Sequence, residues 1–90
     1  MVQKKSILML GRRDPTETMR VAAGLTIFNH TLSLVFLVPV PDTPENAEMA
    51  ELLEFSDIES RTTVPDQALP HIGADALAAA ILAADAVINI

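Results

Sequence analysis

Short apolar runs separated by stretches of helical spacing constrain this chain more than any other feature. Ser6 to Leu10 reads SILML and is closed by Gly11, while Leu32 to Val38 reads LSLVFLV and runs into Pro39 and Pro41. A short continuous apolar run is how a strand covered on both faces reads. The second run, rich in β-branched and aromatic residues, is expected to be a central strand. Ile58 to Val64 is a weaker run interrupted by polar residues, which suits an edge, and Val87 to Ile90 is a fourth.

The intervening segments carry helix signals. Asp14, Pro15 and Glu17 form a start signal, with Asp at the N-cap, Pro at the first helical position and Glu placed for a capping box. Met19, Ala22, Ala23 and Ile27 follow at helical spacing, widened by Val21, Leu25 and Phe28, and Asn29 is a plausible left-handed terminator. Gly24 falls inside this helix, where close packing on the sheet would explain it. The second helix reads PENAEMAELLEF, capped by Thr43 or Asp42. Met49, Leu52, Leu53 and Phe55 are its expected apolar face, and Glu45, Glu48 and Glu51 its acidic one. Gly73 to Ala84 is an alanine-rich third helix with Leu77, Ile81 and Leu82 on one side. The order β-α-β-α-β-α-β predicts one α/β domain spanning residues 1–90, with a four-stranded, mainly parallel sheet, helices on both faces and right-handed crossovers.

Ninety residues bury only roughly 60–65% of their unfolded surface. Half of them are apolar and the mean hydropathy is +0.35, so part of the apolar surface is expected to meet another subunit. The chain has no cysteine, which excludes disulfides, thiolate metal ligands and a thiol nucleophile. The longest apolar run, Thr31 to Val40, is about half of the roughly 20 residues a membrane helix needs. Ile7 to Leu10 is too short for a secretory core, so a cytoplasmic location is expected.

The net charge of −6 argues against nucleic-acid binding through phosphate neutralisation. Its distribution is lopsided. Residues 1–20 hold five cations against Asp14 and Glu17, a net of +3, whereas residues 42–66 hold eight acids against Arg61, a net of −7. A solvated acidic helix face accounts for the second stretch.

Ligands of parallel sheets bind beyond the carboxyl ends of the strands. That edge is expected to gather Arg12, Arg13, Asp14, Asp42, Asp66 and His71, with His30 on the opposite edge. Arg12 and Arg13 precede a helix N-terminus, where free N–H groups and the dipole favour an anion. Arg12, Arg13, Asp14 and His71 are therefore the anion-binding candidates, with His71 also a conceivable general base. Neither a dinucleotide fingerprint nor a Walker A loop follows the first strand, no serine has an elbow context, and two histidines predicted on opposite edges make no metal cluster. No catalytic residue, metal or cofactor is assigned.

The stretch ILMLGRRDPTETMRVAAGLTIFNHTLSLVFLV resembles the opening of small DsrE/DsrF/TusD-like domains, and ADALAAAILAADAVINI resembles their last helix and strand; together they cover about half the chain. The resemblance implies a flavodoxin-like three-layer fold. It also implies a sulfur-relay or sulfur-oxidation protein assembling as dimers, trimers or hexamers, whose catalytic members carry persulfide on a cysteine. The loop from Pro65 to Gly73 has no cysteine, so this chain is not the persulfide carrier. The expected role is a non-catalytic DsrE-like subunit, in a homo- or hetero-oligomer, without membrane or nucleic-acid partners. The alternative is a small enzyme that binds an anion or phosphometabolite at Arg12, Arg13 and His71. A receiver-like module ranks last, because the turn after the first strand is basic.

Overall fold

The computed structural model of the chain describes residues 5–25, 31–65, 67 and 69–90. Ile27, Phe28, Asn29, His30 and Asp66, and the readings attached to them, lie outside the described residues. The elements are β1 (Ser6–Gly11), α1 (Pro15–Leu25), β2 (Thr31–Phe36), α2 (Pro44–Phe55), β3 (Glu59–Thr62), α3 (Ala74–Ala83) and β4 (Ala86–Asn89). All four strands pair in parallel in the order β3-β2-β1-β4. The domain is therefore α/β, with β2 central and β3 at an edge, as the sequence predicts.

The pleat sends alternate side chains to opposite layers. Ile7, Met9, Leu32, Leu34 and Phe36 face Met19 and Ala22 of α1 and Leu53 of α2. Leu8, Leu10 and Val35 face the other way, onto Ile72 and the partly covered Leu77, Ala80 and Ala84. Strands β1 to β3 step outward in one direction, and the chain then returns to place β4 on the far side of β1. That reversal carries α3 to the opposite face from α1 and α2. The same order opens the 3-2-1-4-5-6 doubly wound sheet, with its switch point between β1 and β4.

Local chemistry explains the ends of the elements. The Asp14 carboxylate accepts from the Glu17 N–H at 3.2 Å, so the predicted cap forms. The Glu17 side chain turns instead to Arg20 at 2.6 Å. Thr43, not Asp42, caps α2, accepting from the Asn46 N–H at 3.2 Å. Strand β2 stops at Phe36, two residues earlier than its apolar run, because that is where both neighbouring strands end. Strand β3 is shorter than Ile58 to Val64, since the Val64 N–H turns back to the Thr62 hydroxyl at 3.0 Å.

Gly11, which closes the first run, is required by close approach. A Cβ there would lie 3.0 Å from both Phe36 Cδ1 and Thr18 Oγ1. Gly24 has no such reason. It is exposed and an added Cβ would meet nothing within 4 Å, which corrects the expectation of close packing on the sheet. Gly24→Ala is accordingly expected to raise stability by about 0.5–1 kcal/mol, through restriction of the unfolded chain and better helix propensity. Urea denaturation measures it.

Helix α2 ends in a Schellman motif, with Ile58 N–H donating to the Leu53 carbonyl at 3.0 Å and Asp57 N–H to that of Glu54 at 3.1 Å. Asp57 occupies the left-handed position at φ 60°. Glycine suits that conformation better, and an acid there opposes the helix dipole. Asp57→Gly is expected to stabilise the fold by roughly 0.5–1 kcal/mol, which thermal and urea unfolding would register.

Two apolar faces differ from expectation. In α2, Asn46, Met49 and Leu53 form the stripe that meets the core, leaving Leu52 half-exposed and Phe55 88% exposed. In α3, Leu77, Ala80 and Ala84 face the sheet, while Ile81 and Leu82 are 38% and 86% exposed. At about 100° per residue, Leu82 points away from the row that begins at Leu77.

Candidate functional site

The carboxyl ends of the strands carry the loops that follow Gly11, Phe36 and Thr62, and the predicted candidates fall along this edge. Arg12 and Arg13 are exposed at the switch point between β1 and β4. The Arg12 N–H donates to the Ile90 carbonyl at 2.8 Å, which ties the two strands together there. Neither guanidinium has a partner among the described residues. The acidic helix α2 is met instead by Arg20, 3.7 Å from Glu45. Asp14 is occupied as the α1 cap.

His71 lies at the far end of the same edge. It forms a parallel bridge with Thr62, flanked by bonds from Thr62 N–H to the Pro70 carbonyl at 3.0 Å and from Ile72 N–H to the Thr62 carbonyl at 2.9 Å. Gly11, Phe36, Thr62 and His71 thus stand side by side in successive strands. Three spacings of about 4.8 Å put His71 roughly 14 Å from the β1 end. The fold brings Arg12, Arg13 and Asp14 together and sets His71 three strand spacings away along the same edge. Among the described residues, no group of three or more His, Asp or Glu side chains could hold a metal ion. No helix there is long and apolar enough to cross a membrane.

Between those two ends lies a cavity of about 400 Å³, beyond β2 and β3 and beneath α1 and α2. Its floor is Met19, Phe36 and Leu53, all fully buried. Val40 and Leu69 form half-buried walls, and Pro41, Asp42, Thr43, Ala47 and Ala50 are the exposed residues at its opening.

Hydrogen bonds hold this wall in place before any ligand arrives. The Asn46 side-chain amide donates to the Pro41 carbonyl at 2.8 Å, and its oxygen accepts from the Thr16 hydroxyl at 2.5 Å. One buried amide thereby joins α1, the β2–α2 loop and α2. The Gln67 oxygen accepts from the Val40 N–H at 3.1 Å, fastening the loop after β3 to the loop after β2. Asn46 is not among the residues expected on the buried face of α2; the signal that marks it is its spacing from Met49 and Leu53, which buries a side chain whatever its polarity. Gln67 gives no periodic signal.

A second hollow, about 230 Å³, opens on the α3 face near the amino ends of the strands, between Ser6, Ser33, Glu59, Arg61 and Ala83. It lies at the end of the sheet where parallel folds do not place ligands. In comparisons with known proteins, no family model, no curated protein and no solved structure matches this chain.

Proposed function

We propose that this chain is a non-catalytic, partner-binding subunit of the DsrE-like kind, a cytoplasmic component linked to sulfur relay that assembles through its α3–β4 side. The observation that supports assembly through this side is that α3 buries no side chain completely. Around it, Leu82, Ile81 and Val87 remain exposed, Val87 at 37%. Residues 74–90 hold only two charges, Asp75 and Asp85, and the latter is engaged by the Ser6 N–H at 2.8 Å.

The two sheet edges are treated differently. At β3, Glu59 and Arg61 pair with each other, and the 70–72 segment covers the end at Thr62. The edge strand β4 reads AVIN and carries neither a charge nor a proline to discourage pairing. The patch of Ile81, Leu82 and Val87 beside the β4 edge, with Asp85 as its one charge, can meet its own copy across a two-fold axis, so a second copy is the favoured partner.

Diluting an isotopically labelled sample from submillimolar to low micromolar concentration tests this. Amide signals of residues 77–90 are expected to move with concentration while those of α1 and α2 stay fixed. Signals that move nowhere, or only in α1 and α2, would overturn the reading.

A second reading, anion or phosphometabolite binding, draws support from Arg12 and Arg13, unpaired at the switch point and directly before α1. In that reading His71 stands three strand spacings away along the same edge. Sulfate raising the melting temperature of a monomer would favour it.

A further inference from the structure

The cavity beneath α2 is built to a plan different from either of those readings. It is mostly apolar, it is held open by Asn46 and Gln67, and Asp42 is the one charged side chain among its described lining residues. Its volume is near the lower end of the roughly 300–1,000 Å³ of small-molecule sites, and its end at Val40 to Thr43 lies beyond the carboxyl end of β2, where parallel sheets hold ligands.

Two electrostatic effects compete at the opening. The N-terminus of α2 contributes about half a positive charge, but Thr43 already occupies one of its N–H groups. Asp42 contributes a full negative charge, while Glu45 in the first turn behind it is met by Arg20 at 3.7 Å. The acid wins, so the opening favours a cation over an anion.

We propose that this cavity binds a small amphiphilic amine, its apolar body of about one ring seated against Val40, Ala47, Ala50 and Leu69 and its ammonium group at Asp42. The walls explain the body, since Val40, Ala47, Ala50 and Leu69 give it accessible carbon surface, with Met19, Phe36 and Leu53 closed beneath them. The Asp42 carboxylate, on an exposed residue of the lining, explains the head. The site is independent of assembly, because it opens on the α1–α2 side of the sheet and α3 covers the other.

Three probes of one shape test it: phenethylamine, phenethyl alcohol and phenylacetate, titrated at millimolar concentration and read by amide chemical shifts. Phenethylamine is expected to shift Val40, Ala47, Ala50, Ser60 and Leu69 saturably. It should bind about tenfold or more tightly than phenylacetate, since exchanging attraction for repulsion at one exposed carboxylate is worth roughly that much. Asp42→Asn should weaken the amine about fivefold and leave the alcohol unchanged.

Ala50→Leu should abolish binding of all three probes. Ala50 is exposed on α2, so the larger side chain plugs the opening with little effect on melting temperature; Ala47→Leu serves the same purpose if the first variant folds poorly. The proposal is overturned if phenethylamine produces no saturable shift, if the shifts lie outside the cavity, if phenylacetate binds as well, or if a plugged and folded variant still binds.

Discussion

Replacing Phe36 by alanine is expected to remove about 3–5 kcal/mol of stability, the largest effect of any single truncation in this fold. Phe36 is 1% exposed and ends the central strand β2 between Gly11 of β1 and Thr62 of β3. Its ring fills the space that Gly11 leaves empty, and it contributes to the floor of the cavity beneath α2. The neighbours cannot collapse into the gap. The strands on both sides are held in register, and Thr18 is fixed by its hydroxyl bond to the Asp14 carbonyl at 2.9 Å. Lost transfer energy and an unrelaxed cavity therefore add. A domain of this length has a total stability of roughly 5–13 kcal/mol, so the variant should be partly unfolded well below the melting temperature of the parent. Urea denaturation with an unchanged slope reads the loss directly. A cost under about 1 kcal/mol would mean that the end of the sheet is not packed as described.

Leu82→Glu is expected to weaken self-association at least thirtyfold while leaving the folded monomer within about 0.5 kcal/mol of the parent. The side chain is 86% exposed in the single chain, so nothing inside the domain is lost when it changes. In a two-fold assembly each substitution acts twice and introduces two like charges into an apolar patch, where desolvation and repulsion add. Phe55→Glu is the matched control. It is equally exposed, at the end of α2 on the other side of the sheet, and should leave association unchanged. Equal effects from the two variants would indicate general stickiness instead of an α3–β4 interface.

The sequence was most informative where one residue type has one physical use. Asp14, Pro15 and Glu17 announced the start of α1, and the cap bond to the Glu17 N–H is present. The β-branched density of residues 32–38 marked the central strand. The polar interruptions of residues 58–64 marked the edge. Strand order was not legible, because apolar runs say that strands are buried and not which neighbours bury them. The second and third helices match the sequence in extent, and the facing of both differs from it. Apolar content pointed to Leu52, Phe55 and Leu82, but the faces are set by angular position relative to Leu53 and Leu77, and the polar Asn46 holds a buried place.

The candidate site was legible only as an edge. Placing Arg12, Arg13 and His71 beyond the strand ends followed from the βα order, whereas their separation follows from lateral order. His71 reaches that edge by bridging to Thr62, on the side of β3 away from β1. The cavity between them could not be read from spacing. It depends on Gln67 and Val40, 27 residues apart, meeting across two loops.

The measurement that tests the central claim most directly is the solution mass by light scattering at low micromolar and submillimolar concentration, with and without millimolar sulfate. The account predicts a mass that rises with concentration to twice that of one chain, indifferent to sulfate and abolished by Leu82→Glu. A monomer at every concentration, with a melting temperature that climbs as sulfate is added, would contradict it and transfer the function to Arg12 and Arg13.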